Sequence, residues 1–164
     1  MNKPATTIIA EAGVNHNGSL NTAKEMINVA AEAGADFVKF QTFKADKLVT
    51  KIAEKAEYQK LFTESNESQF EMIKRVELDR TAHKKLIKHC KDKGIRFLST
   101  PFDHDSIDFL AELNIPLYKI PSGEITNLPH LRHIGRMGKP VIMSTGMATI
   151  AKLDESVPTI REAG

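Results

Sequence analysis

Five short apolar runs, each closed by polar residues and each followed by a helix-patterned segment, constrain this chain more than any other feature. The runs lie at about residues 7–10, 37–40, 97–100, 117–120 and 141–144. A run that is apolar rather than alternating reads as a strand buried on both faces. Between the runs, apolar residues recur at helical spacing. Residues 20–33 carry Leu20, Ala23, Met26, Ile27, Ala30 and Ala31, with Gly34 as the stop. Further helices are expected near 80–93, opened by Asp79 and closed by Gly94, and near 104–113, 128–137 and 151–162. No two strands are joined by a two-residue hairpin turn. The alternation therefore implies an α/β fold with parallel strands.

An open doubly wound sheet and a (β/α)8 barrel both fit that order. Two details favour the barrel. No glycine-rich fingerprint follows the first strand, and the strands end in polar residues at the edge where barrel enzymes place their chemistry. A complete barrel takes about 250 residues, whereas this chain has 164. The expectation is a partial (β/α)8 TIM barrel, the first five β/α units of a longer fold, with residues 1–164 as the N-terminal part of that domain. One interval, about 44–79, is long. Its first half, 44–60, is charged, and its second half, 65–78, is expected to be helical with Phe70, Ile73 and Leu78 inward. A substrate lid and an added helix fit this interval equally.

Charge excludes some partners. The balance of 23 basic and 21 acidic residues gives +2, so no basic field points to nucleic acid. The single cysteine, Cys90, excludes an internal disulfide framework. No apolar run approaches the ~20 residues of a membrane span, and no signal-like segment precedes residue 7. A cytoplasmic protein without a membrane or nucleic-acid partner is the expectation.

Candidate chemistry gathers at the strand ends. Glu11 closes the first run, and a carboxylate there must be hydrogen-bonded, paired or functional. Lys39 and Gln41 share one face of the second strand, and Lys119 sits within the fourth. Two lysines converging on one mouth suit a multiply charged anion such as a phosphate ester. Ser99, Thr100, Ser122, Ser144 and Thr145 add hydroxyls at the same level, each near Pro101, Gly123 or Gly146. Together they suggest an oxyanion cradle, and Glu124 adds an acceptor suited to sugar hydroxyls. His16 fits either a structural or a substrate-facing role. His83 to Lys93 reads as a solvated helix face, and His130 with His133 gives only one pair of ligand types without a third. Residues 135–139 lack the P-loop pattern because Pro140 stands where Ser or Thr is needed.

Several segments, in order, resemble the bacterial sialic acid synthases. They are Ile9-Ala10-Glu11-Ala12-Gly13-Val14-Asn15-His16-Asn17-Gly18, Val38-Lys39-Phe40-Gln41-Thr42-Phe43-Lys44-Ala45, Ser99-Thr100-Pro101-Phe102, Lys119-Ile120-Pro121-Ser122-Gly123-Glu124 and Ser144-Thr145-Gly146-Met147. Ala56-Glu57-Tyr58-Gln59 and Glu67-Ser68-Gln69 match as well. The resemblance implies condensation of phosphoenolpyruvate with N-acetylmannosamine and water to give N-acetylneuraminate and phosphate. Close relatives use a diacetamido-trideoxyhexose to make legionaminate. It implies that Lys39, Thr100, Lys119, Ser122 and Ser144 hold phosphoenolpyruvate, that Gln41 and Glu124 contact the amino sugar, and that Glu11 handles a proton near carbon 2. It further implies Mn2+ or Mg2+ as a Lewis acid, with histidine ligands from later strands, so no metal ligand is assigned in this chain. A homodimer and a C-terminal antifreeze-like domain belong to the full-length family, and the isolated fragment is expected to be inactive. The rival readings are a non-catalytic half-barrel that binds phosphate esters and a Schiff-base aldolase using Lys39 or Lys119.

Overall fold

A computed structural model describes residues 6–50 and 68–164. Five strands alternate with helices: β1 Ile9–Gly13, β2 Phe37–Thr42, β3 Arg96–Pro101, β4 Tyr118–Ile120 and β5 Val141–Met143. Every strand pairing is parallel. β1, β2 and β3 form one ladder, β4 and β5 another, and β4 lies beside β3. This is the partial barrel that the alternation predicts.

The first strand begins later than its apolar run suggests. The Asp36 and Phe37 amides both donate to the Ile8 carbonyl, and Ile8 N–H donates to the Asp36 carboxylate at 2.8 Å. The ladder proper then starts at Ile9 and continues to Gly13, with an irregularity between Glu11 and Gly13. Glu11 is therefore a mid-strand residue opposite Lys39, not the strand's closing residue.

The helices start and stop where their caps dictate. They are α1 Leu20–Glu32, α2 Ala45–Leu48, α3 Gln69–Arg75, α4 Arg80–Asp92, α5 His104–Glu112, α6 Leu128–Arg136 and α7 Ile150–Ala163. Ser19, Asp79, Asp103 and Asn127 each accept a backbone N–H in the first turn. Gly34 and Gly94 follow α1 and α4 with φ of +79° and +71°, a conformation open to glycine at little cost. The expected helix over 65–78 is shorter. A reciprocal capping box between Ser68 and Glu71 starts α3 at Gln69, and residues 65–67 lie outside the described residues. Leu78 is buried as expected, but it lies beyond the helix, and Phe70 and Ile73 are only half-buried.

One side of the strands packs on the helices. Phe40, Tyr118 and Ile120 meet Ile27, Leu86 and Leu131 in this layer, and Tyr118 Oη donates to the Ile107 carbonyl at 3.1 Å. The opposite side, the inner face of the arc, carries Lys39, Gln41, Leu98 and Thr100. Leu98 is partnered with Lys39, and Thr100 with Gln41. At the other end of this face the Arg96 guanidinium stacks on Phe37, 3.8 Å from the ring centre.

The ends of the long interval are fastened to the strand rim. The Glu77 carboxylate accepts from Ala45 N–H at 3.0 Å, from Lys44 Nζ at 3.1 Å and from Lys74 Nζ at 3.0 Å. Burial alone would raise the pKa of Glu77. These donors outweigh it and hold the carboxyl below its ordinary range.

Candidate active site

Lys39 organises one half of the inner face. Its side chain is nearly buried, and Nζ lies 2.5 Å from Glu11 Oε2 and 3.3 Å from Thr100 Oγ1. The register places Glu11 opposite Lys39, so the ion pair follows from strand pairing. Glu11 itself is 55% exposed at the side chain, which leaves its carboxylate open to a ligand. Gly13, at φ +56°, makes room beside it. A Cβ there would stand 3.4 Å from Glu11 Oε1 and 3.8 Å from Gln41 Nε2.

Lys119 organises the other half. Its Nζ donates to Ser144 Oγ at 2.6 Å and to the Ile120 carbonyl at 2.9 Å. Burial lowers its pKa, the charge of Lys39 lowers it further, and the charge of Glu11 opposes both. The two lysines and the carboxylate thus act on one another across a single mouth. Two cations against one carboxylate leave an excess positive charge, an arrangement that attracts an anion.

The structure divides the expected hydroxyl ring. Thr100 and Ser144 each accept from one of the two lysines. Ser122 begins a 3-10 turn at Ser122–Glu124, directly after β4 and Pro121, and is half-buried. Ser99 does not join them. Alternation along β3 turns it to the helix side, where Thr42 Oγ1 lies 2.7 Å away. Thr145 is exposed. Gln41 is half-buried on the face of Lys39. Glu124 is engaged locally, accepting from Asn127 Nδ2 at 2.8 Å and bracing the start of α6.

Three histidines are buried. His83, expected on a solvated face, is 1% exposed. The signal lay in the spacing, because His83, Leu86 and Cys90 form the buried stripe of α4. His16 is 1% exposed, and its Nδ1 accepts from Gly18 N–H at 3.0 Å. The neutral ring therefore carries its proton on Nε2, for which the described residues supply no acceptor. His130 is fully buried, with neither ring nitrogen hydrogen-bonded among the described residues. Burial lowers the pKa of all three. His133 pairs with Asp108 at 2.7 Å.

Among the described residues no three His, Cys, Asp or Glu side chains converge so as to hold a metal ion. The described residues thus do not by themselves fit the expected divalent ion. Also among the described residues, no helix is long and apolar enough to cross a membrane.

Residues 26–164 match the NeuB family. The chain belongs to the NeuB family. The N,N'-diacetyllegionaminic acid synthase of Campylobacter jejuni is 54% identical over 97% of this chain and 48% of that protein. The enzyme of the same name from Legionella pneumophila is 51% identical, over 94% of this chain and 43% of its own length. Among solved structures, the N-acetylneuraminic acid synthetase of Leptospira borgpetersenii, in complex with citrate, superposes with a TM-score of 0.79 at 30% identity. That match covers 96% of this chain and 51% of that one. The chain thus spans about half the length of the NeuB relatives it matches.

Proposed function

We propose that the protein carrying this chain condenses phosphoenolpyruvate with an N-acetylated hexose and water, forming a nonulosonic acid and releasing phosphate. The observation that carries the reading is the pair of lysines, Lys39 and Lys119, converging on one mouth with a hydroxyl acceptor beside each. Phosphoenolpyruvate offers a phosphate and a carboxylate, and the two cations with Thr100, Ser122 and Ser144 supply charge and hydrogen bonds for both. Binding exchanges the Thr100 and Ser144 acceptors of the lysines for anionic oxygens, and the hydroxyls then donate to the same anion.

In the reaction, carbon 3 of the enol ether attacks the sugar aldehyde and water adds at carbon 2. The tetrahedral intermediate expels phosphate by C–O cleavage. Glu11, exposed and paired with Lys39 at 2.5 Å, takes the proton from the attacking water, and the ion pair orients the carboxylate for that transfer. Gln41, beside Glu11 over Gly13, contacts the sugar. Glu124 contributes to the sugar pocket once its bond to Asn127 is shared.

The acceptor we favour is a diacetamido-trideoxyhexose, with legionaminate as product. Two relatives above 50% identity are named for that chemistry, whereas the N-acetylneuraminic acid synthetase stands at 30%. N-acetylmannosamine is the second acceptor to test. The experiment is phosphate release from phosphoenolpyruvate by the complete gene product, with each sugar in turn. Release that depends on the diacetamido sugar supports the reading. Release with N-acetylmannosamine alone corrects the acceptor, and none with either sugar overturns the function.

A further inference from the structure

Behind β2 and β3, on the helix side, three polar side chains form a buried chain. Ser99, Thr42 and His83 are 0, 4 and 1% exposed. Thr42 Oγ1 lies 2.7 Å from Ser99 Oγ and 2.8 Å from His83 Nε2, and His83 Nδ1 lies 2.9 Å from the Asp79 carbonyl oxygen. Chemistry fixes the direction of each bond. A carbonyl only accepts, so Nδ1 carries the ring proton. Burial is the largest influence on His83 and keeps the ring neutral, so Nε2 accepts from the Thr42 hydroxyl. Thr42 oxygen then accepts from Ser99. Every proton in the chain is used once, and Phe97 and Phe109 hold the imidazole edge-on at 6.1 and 5.2 Å between ring centres.

This chain lies directly behind the candidate site. Thr42 follows Gln41, Ser99 precedes Thr100, and Gln41 and Thr100 are ladder partners. At the next ladder pair, Thr42 with Pro101, Phe102 N–H donates to the Thr42 carbonyl at 3.1 Å. The side-chain bonds add to this backbone pairing and tie the two strands together at the rim of the site.

We propose that Thr42 and His83 are positioning residues which, acting through Ser99, fix the height and rotation at which Thr100 and Gln41 face the substrates. The proposal rests on the reading of the inner face as the phosphoenolpyruvate site. A fully satisfied buried network of this kind holds one arrangement against its alternatives, and small displacements of binding groups have large kinetic effects.

The test is steady-state kinetics of the complete gene product bearing Thr42→Val, which keeps the shape and removes the hydroxyl, beside Thr42→Ser, which keeps the hydroxyl. The expected result is a rise of about tenfold in KM for phosphoenolpyruvate in Thr42→Val, with kcat within about twofold and the serine variant near wild type. Ser99→Ala, which removes the bond through which Thr42 and His83 act, gives a comparable rise in the same KM and serves if the valine variant does not fold. Unchanged KM in folded Thr42→Val or Ser99→Ala overturns the proposal alone. Lowered stability with unchanged KM marks a purely structural role and also overturns it. A wild-type protein that releases no phosphate overturns the reading of the site, and the proposal with it.

Discussion

Lys39 and Lys119 occupy the same mouth but are neutralised differently. Lys39 has a carboxylate at 2.5 Å, whereas among the described residues Lys119 donates to a hydroxyl and a carbonyl. Burial and then the charge of Lys39 lower the pKa of Lys119, and an anion between the two lysines opposes both effects. In the proposed reaction Glu11 has two tasks, balancing Lys39 and moving a proton, and Glu11→Gln separates them. That variant is expected to lower kcat by about 10²–10⁴-fold while still binding phosphoenolpyruvate, measured as phosphate release and as direct binding. Normal turnover in the variant removes Glu11 from the proposed chemistry. The lysines and Gln41 were legible in the sequence because period-2 alternation puts residues 39 and 41 on one face. The same rule, applied to β3, separates Ser99 from Thr100. Reading them as one cluster overlooked it. His83 was hidden by its charged neighbours, and the local role of Glu124 depends on a turn geometry that no spacing rule announces.

At the level of elements, capping chemistry made most helix boundaries readable, and the shift of β1 shows its limit. Ile8 looks like strand by composition, yet the Asp36 carboxylate and two amides claim its backbone, so the ladder starts one residue later. The approach of α6 to α7 was not foreseeable, because a glycine within the expected helix over 128–137 does not reveal what packs against it. It lies inside α6, and a Cβ there would stand 2.5 Å from the Ile160 carbonyl oxygen and 2.9 Å from Ala163 Cβ. Both contacts are too close for a methyl group, and backbone cannot yield as a flexible side chain can. Gly135→Ala is expected to destabilise the protein by about 1–3 kcal/mol through forced separation of the two helices, read by denaturant unfolding. An unchanged unfolding midpoint means that α7 does not pack as closely as described.

For the molecule as a whole, three buried neutral histidines make stability depend on pH in a definite direction. Burial lowers the pKa of His16, His83 and His130 in the folded state, while the unfolded chain titrates near the ordinary value of about 6.5. Below that value the unfolded state binds more protons. The stability is thus full above about 6.5 and is lost as the pH falls toward the folded-state values. A lower thermal midpoint at pH 5.5 than at pH 7.5 is expected, and replacing His83 or His130 by an uncharged residue flattens the difference. Equal midpoints contradict the burial of these rings. The fold class was legible at this scale because apolar strands alternating with helices admit few architectures. The acceptor sugar was not, since the side chains that distinguish two N-acetylated hexoses leave no periodic mark. If the inner face holds phosphoenolpyruvate between Lys39 and Lys119, titration calorimetry on the complete gene product will read it as binding. The wild type is expected to bind phosphoenolpyruvate, and Lys119→Met to lose about 10²-fold or more in affinity. Equal affinity in the two proteins would contradict it.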